Sequence, residues 1–118
     1  MDSMVIGFTG HRDRVAHAGE LCRIADEHPE AVWIHGGAVG FDSQVSAYAS
    51  SCGIPQSILR PDYAKHGKSA PLIRNREIVA RATLLVACWD GRDSGGTAHT
   101  VAEARKRGVR VEVLEPYG

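Results

Sequence analysis

The sequence predicts an α/β protein, a Rossmann-like three-layer fold with a five-stranded, mainly parallel sheet in the order 3-2-1-4-5 and helices on both faces. Three observations carry that expectation. Five short apolar runs alternate with four segments of helical periodicity, the pattern of successive βαβ crossovers. The 118 residues fit one compact domain, residues 1–118, with no linker, repeat or low-complexity stretch dividing it. The glycine-rich and charged segments gather at one edge of the expected sheet, where strands end and helices begin.

Residues 4–9 form a short apolar run closed by Gly10, which reads as the first strand. Val15, Ala18, Cys22 and Ala25 recur at helical spacing, with Arg14, Glu20, Arg23, Asp26 and Glu27 on the other face and Pro29 just beyond. Residues 31–35 are the second strand, stopped by Gly36-Gly37. Phe41, Val45, Tyr48 and Cys52 give a second helical stripe, closed by Gly53. Residues 54–59 are the third strand, broken by Pro61, and residues 62–68 are polar and irregular. Ser69 is placed to cap a third helix, with Pro71 in its first turn and an end near Ala82. Residues 83–89, the most continuously apolar stretch, are the fourth strand, and residues 90–96 are a loop. Residues 97–106 form the last helix, capped by Gly108, and residues 109–114 the fifth strand. Right-handed crossovers then put the topological switch between strands one and four, where ligands of such sheets bind.

Composition narrows the function classes. Lys plus Arg and Asp plus Glu are each 14, so the formal net charge is zero. A nucleic-acid partner is not expected, because such binders normally carry a basic surplus. The content is that of an ordinary globular chain, 43% hydrophobic and 24% charged. No apolar run approaches a membrane span and no secretory leader opens the chain, so a cytoplasmic location without a membrane partner is expected. The three cysteines, Cys22, Cys52 and Cys88, are odd in number and dispersed, which predicts buried, reduced thiols. No histidine pair has ligand spacing, and neither a metal nor another cofactor is expected. Assembly into a homo-oligomer is compatible with the sequence, which locates no interface.

The candidate site follows from chemistry at the carboxyl edge. Thr9, Gly10, His11 and Arg12 follow the first strand. His35, Gly36, Gly37, Ala38, Val39, Gly40, Phe41 and Asp42 follow the second, and a loop with Tyr63, Lys65, His66 and Lys68 the third. The run Asp90-Gly91-Arg92-Asp93-Ser94-Gly95-Gly96-Thr97 follows the fourth. Glycine lets backbone N–H groups approach a phosphate, and a helix N-terminus behind it adds free donors and a positive dipole end. Ser94, Gly95, Gly96 and Thr97 fit that role, and Gly36, Gly37 and Gly40 offer a second cradle. Neither is a Walker loop or a GxGxxG fingerprint, and glycines at such places also serve simply as tight turns. Arg12, with Arg74 or Arg76 flanking Asn75, would neutralise an anion. Asp42 and Asp90 would hold ribose or base, unless they serve as caps. Trp89 offers a stacking face or a core residue.

In order along the chain, these segments resemble the SLOG superfamily, and within it the small stand-alone domains of the YspA type. The resemblance rests on Gly10-His11-Arg12, the run from Gly36 to Asp42, His66-Gly67-Lys68-Ser69-Ala70, Ile73-Arg74-Asn75-Arg76 and Ser94-Gly95-Gly96-Thr97-Ala98-His99-Thr100, and covers nearly the whole chain. It implies nucleotide or nucleotide-derived ligands held at the carboxyl edge. The superfamily also holds the LONELY GUY phosphoribohydrolases and Smf-type DNA-processing proteins. In the phosphoribohydrolase motif PGGxGTxxE, the Gly-Thr matches Gly96-Thr97. The glutamate position is Thr100 here, and the proline has no counterpart. Glu103 lies one turn on, about 60° round the helix and roughly 4.5 Å deeper. Cleavage of an N-glycosidic bond needs a carboxylate near the anomeric carbon, so Asp42, Asp90, Asp93 or Glu103 would have to supply it.

The expected function is therefore binding of a nucleotide or nucleotide-derived small molecule, as sensor or carrier. The alternative is an N-glycoside hydrolase that releases the base from a nucleoside 5′-monophosphate.

Overall fold

The computed structural model describes residues 4–117. β1 (Val5–Gly10) sits at the centre of a sheet whose order is β3-β2-β1-β4-β5, with β2 (Val32–His35), β3 (Gln56–Ile58), β4 (Leu84–Cys88) and β5 (Arg110–Leu114). Every pairing is parallel, and the register sets Gly7 beside Ile34 on one side and Leu85 on the other. This is the predicted architecture, because parallel neighbours need a crossover helix between them.

Strand alternation sorts the core into two halves. Ile6, Phe8, Leu84, Val86 and Cys88 face Leu21 and Ile24 of α1 (Ala18–Glu27) and Phe41, Val45 and Ala49 of α2 (Phe41–Cys52). Leu85 and Ala87 face Ile78 and Val79 of α4 (Ala70–Arg81) and Val101 and Ala104 of α5 (Gly96–Lys106). β4 is buried along its whole length, which explains its unbroken apolar sequence. Gly7 matters to the second half: a Cβ there would lie 2.9 Å from Ile78 and 3.2 Å from Ala82. Its absence seats α4 tightly on the central strand, which fixes the first turns of α4 above the sheet's carboxyl edge.

Three sequence expectations are corrected. Cys22 and Cys52 are exposed, and only Cys88 is buried. α1 turns its Leu21–Ile24 side to the core because those side chains bury more apolar surface than the smaller Ala18–Cys22–Ala25 stripe; Val15 precedes the helix and bridges to Tyr117. In α2 the buried line of Phe41, Val45 and Ala49 ends before Cys52. Residues 62–68 are not irregular: α3 (Tyr63–His66) is a single helical turn, capped where Asp62 Oδ1 accepts from the Lys65 N–H at 3.1 Å. A 3-10 turn, Gly67–Ser69, leads straight into α4. Ser69 already has helical backbone there, so its side chain does not cap α4.

The first two loops at the carboxyl edge interlock through missing side chains. A Cβ on Gly10 would lie 2.6 Å from the Phe41 side chain, and one on Gly40 (φ 80) would overlap the backbone carbonyls of His11 and Arg12. Gly40→Ala is expected to lower the unfolding free energy by about 1–3 kcal/mol. Gly53→Ala, at a similar φ of 67 with open space around it, should cost about 1 kcal/mol or less. Urea unfolding at constant m-value checks the contrast; equal costs would show that the two loops are free to move apart.

Candidate functional site

A cleft of about 590 Å³ opens at the carboxyl ends of β1, β2 and β4, at the topological switch point. Its floor is Phe8 and Ile78. Its walls are the β1–α1 loop, the β2–α2 loop, the start of α4, and the loop that opens α5. Of the residues singled out in the sequence, it brings together Thr9, Gly10, His11, Arg12, Gly36, Asp42, Arg74, Asn75, Ser94, Gly95, Gly96 and Thr97. Asp13, Pro71 and Arg92 also line it. Asp13 directly follows the Gly-His-Arg run, and Pro71 and Arg74 are one helical turn apart, spacings that would have pointed to both.

The two glycine-rich loops turn out to differ in kind. After β2, Asp42 is buried and reaches back along its own loop: Oδ2 accepts from the N–H of Gly36 and of Ala38, each at 3.2 Å. The Gly37 N–H donates to His35 Nδ1 at 3.0 Å, while His35 Nε2 faces the Gln56 side-chain oxygen at 2.8 Å. That pairing fixes the neutral tautomer with its proton on Nε2. Arg74 Nη1 donates to the Gly36 carbonyl at 2.8 Å, and the Ser43 hydroxyl to the Ala38 carbonyl at 3.0 Å. The N–H groups of Gly36, Gly37 and Ala38 are thus already committed, and the Arg74 guanidinium lies in the space that a Cβ on Gly36 would take.

The loop after β4 is open. Gly95 caps α5 without a side-chain hydrogen bond, and the first intrahelical bond runs from the His99 N–H to the Gly95 carbonyl. The N–H groups of Gly96, Thr97 and Ala98 are therefore the unpaired first-turn donors of an α-helix. Among the described residues a Cβ on Gly96 would meet only Asn75 Nδ2, at 3.9 Å, and Gly96 has an ordinary φ, so no described neighbour requires glycine there. Neither the Thr9 nor the Thr97 hydroxyl, both facing the cleft, bonds to another described residue.

The charged groups divide in the same way. Arg74, not Arg76, faces the cleft; its Nε donates to Asn75 Oδ1 at 2.7 Å, and burial pulls its pKa down from the usual arginine value. Arg12 is exposed at the rim and forms no ion pair among the described residues. Asp90 lies beside the cleft rather than on its wall. Arg92 grips both its oxygens and holds its carboxyl well below the usual carboxylate range. His11 Nε2 lies 3.3 Å from Asp90 Oδ1 and 3.4 Å from the Asp90 N–H, two contacts that use opposite protonation states of that nitrogen. Trp89 is half-buried against the core, donates its indole N–H to the Arg92 carbonyl at 2.9 Å and lies under the Arg105 guanidinium, so it braces the loop outside the cleft.

Arg76, Thr100 and Glu103 are directed elsewhere. They line a separate groove of about 30 Å³ between α4 and α5, with His99. The Thr100 hydroxyl donates to the Gly96 carbonyl at 2.7 Å, and Glu103 accepts from Arg107 Nε at 2.6 Å. Of the four carboxylates considered for catalysis, Asp42, Asp90, Asp93 and Glu103, only Asp42 lines the cleft, and its Oδ1 is buried with no hydrogen-bond partner among the described residues. Burial raises its pKa, opposed by the Ala38 N–H, the nearby Arg74 guanidinium and the Gly36 N–H.

Fold and cleft together define a class: a doubly wound parallel α/β domain with a polar cleft at its switch point. No family model matches the chain. It is 37% identical over 86 residues to the gene 61 protein of Mycobacterium phage D29, a match spanning 68% of this chain and 68% of that one, and it belongs to the family of that protein.

Because burial raises the Asp42 carboxyl, the folded chain keeps that proton to higher pH than the unfolded chain. The stability this proton gives is complete at low pH and lost as pH rises past the usual carboxylate range. Asp42→Asn keeps an acceptor for the two N–H groups and removes the charge. Its stability relative to the wild type is expected to rise between about pH 4 and about pH 7. Asp42→Ala strands both donors and should lose about 1–3 kcal/mol for each at either pH. Denaturant titrations at the two pH values decide, and parallel curves for wild type and Asp42→Asn would remove Asp42 as the titrating group.

Proposed function

We propose that this chain binds a nucleotide or nucleotide-derived small molecule, as a sensor or carrier, with a phosphoryl group at the N-terminus of α5. The observation that carries this reading is Gly96: a glycine with no internal need for one, beside three unpaired N–H donors, opening on a cleft that Arg12 and Arg74 face. The resemblance to the SLOG superfamily, in which such ligands sit at the carboxyl edge, points the same way. Thr9 and Thr97 supply hydroxyl partners and Phe8 an apolar floor, a mixture suited to a small polar ligand.

The alternative, an N-glycoside hydrolase on a nucleoside 5′-monophosphate, is supported by the unpartnered Oδ1 of Asp42 in the cleft. That carboxylate would stabilise positive charge at the anomeric carbon or, protonated, hand a proton to the leaving base. Release of free base that is abolished in Asp42→Asn would establish it.

A thermal-shift screen with nucleoside mono- and diphosphates, cyclic nucleotides, ADP-ribose and NAD tests the binding reading. A ligand at 100 times its Kd adds about 2.7 kcal/mol, which is several degrees for a domain of this size. Gly96→Ala should fold with a stability near that of the wild type, since a Cβ meets only ordinary contact there, and the bulkier Gly96→Val should abolish the shift. No shift from any of these ligands at millimolar concentration would overturn the reading.

A further inference from the structure

Arg12 and Arg74 form a partition with a cavity on each side. Beyond them, away from α5, lies an annex of about 310 Å³ whose other lining residues include Gly37, Arg60, Pro61 and Tyr63. Among the described residues three arginines line this annex and no carboxylate does. Arg12, Arg60 and Arg74 form no ion pair with any described residue. The nearby acids are otherwise engaged: Asp62 caps α3, and Asp42 holds the β2–α2 loop.

Arg60 lies across the β2–α2 loop, its Nη1 3.4 Å from the Gly37 carbonyl, and a Cβ on Gly37 would sit 2.7 Å from that nitrogen. Arg74 is pinned by Gly36 and Asn75, yet its Nη2 bonds to no described residue. Tyr63 is 55% exposed on the annex wall, an aromatic face presented to solvent beside Pro61. Guanidinium groups repel one another, and a shared anion relieves that repulsion while using their free donors.

We infer that the ligand of this chain carries two phosphoryl centres, one at the N-terminus of α5 and one in the annex under Arg60, with Arg12 and Arg74 reaching both and Tyr63 covering a planar group. This rests on the nucleotide-binding reading and narrows its ligand class to nucleoside bisphosphates or diphosphate-bridged nucleotides. Arg60 is a specificity-determining residue in this scheme: it touches only the second centre.

Isothermal titration of the full chain tests it. The probes are the 5′-monophosphates and 3′,5′-bisphosphates of the four common ribonucleosides, with ADP-ribose and NAD as the diphosphate-bridged arm. At least one two-centre probe should bind about tenfold or more tightly than any monophosphate, a difference of about 1.4 kcal/mol. Arg60→Ala should erase that advantage and leave monophosphate affinity within about twofold. Arg60 is exposed, and Arg60→Gln provides a second variant of closer size. The arm that binds tells a bisphosphate from a bridged diphosphate. Equal affinities for one-centre and two-centre probes, or an advantage that survives in both Arg60 variants, would overturn the inference while leaving nucleotide binding intact. If no probe binds, monophosphates included, both fall.

Discussion

The buried carboxylate of Asp42 is the contact on which the carboxyl edge depends. One oxygen collects two backbone N–H groups of the loop that precedes its own helix, and so folds residues 36–42 into a closed unit. With the loop closed, its glycines present bare backbone to their neighbours. Gly36 receives the Arg74 guanidinium, and Gly40 the carbonyls of the β1–α1 loop. The Gly36 carbonyl of the closed loop then accepts from the Arg74 guanidinium at the cleft wall. The cost is a charge-bearing group held out of water with one oxygen unsatisfied, a cost that polar groups at a ligand-facing wall commonly carry.

The sheet was legible because its determinants are local and repeated. Five apolar runs separated by helical periods leave few ways to connect parallel strands, and the observed order follows. Where the reading failed, the deciding information was not local. α3 has four residues, too few for any periodicity to register. The Cys22 stripe of α1 and the Leu21–Ile24 side are both helical in spacing, and the choice between them rests on the volume each offers the sheet.

At the candidate site the difficulty was of a different kind. A glycine kept so that a ligand can approach and one kept so that the chain can approach itself look identical in sequence, because both are simply the absence of a Cβ. Only the neighbours separate Gly10, Gly36 and Gly40, which are filled from within, from Gly96, which is not. Arg74 and Arg76 were likewise equivalent on paper. Positions two residues apart on a helix differ by about 200° in direction, and the seating of α4 on Gly7 decides which of them looks into the cleft.

The two tryptophans of this chain occupy opposite optical situations. Trp33 is enclosed in the core, 4.7 Å from Phe8 and stacked on Tyr48 at 5.8 Å, and belongs to the rigid interior. Trp89 is tied by its indole N–H to the carbonyl of Arg92, within the loop that opens α5. Movement of that loop changes the hydrogen bond and the solvent around one indole while the other stays dark to it. Intrinsic fluorescence is therefore expected to resolve into a constant blue-emitting part from Trp33 and a part from Trp89 that would follow the loop, a conformational probe without any label.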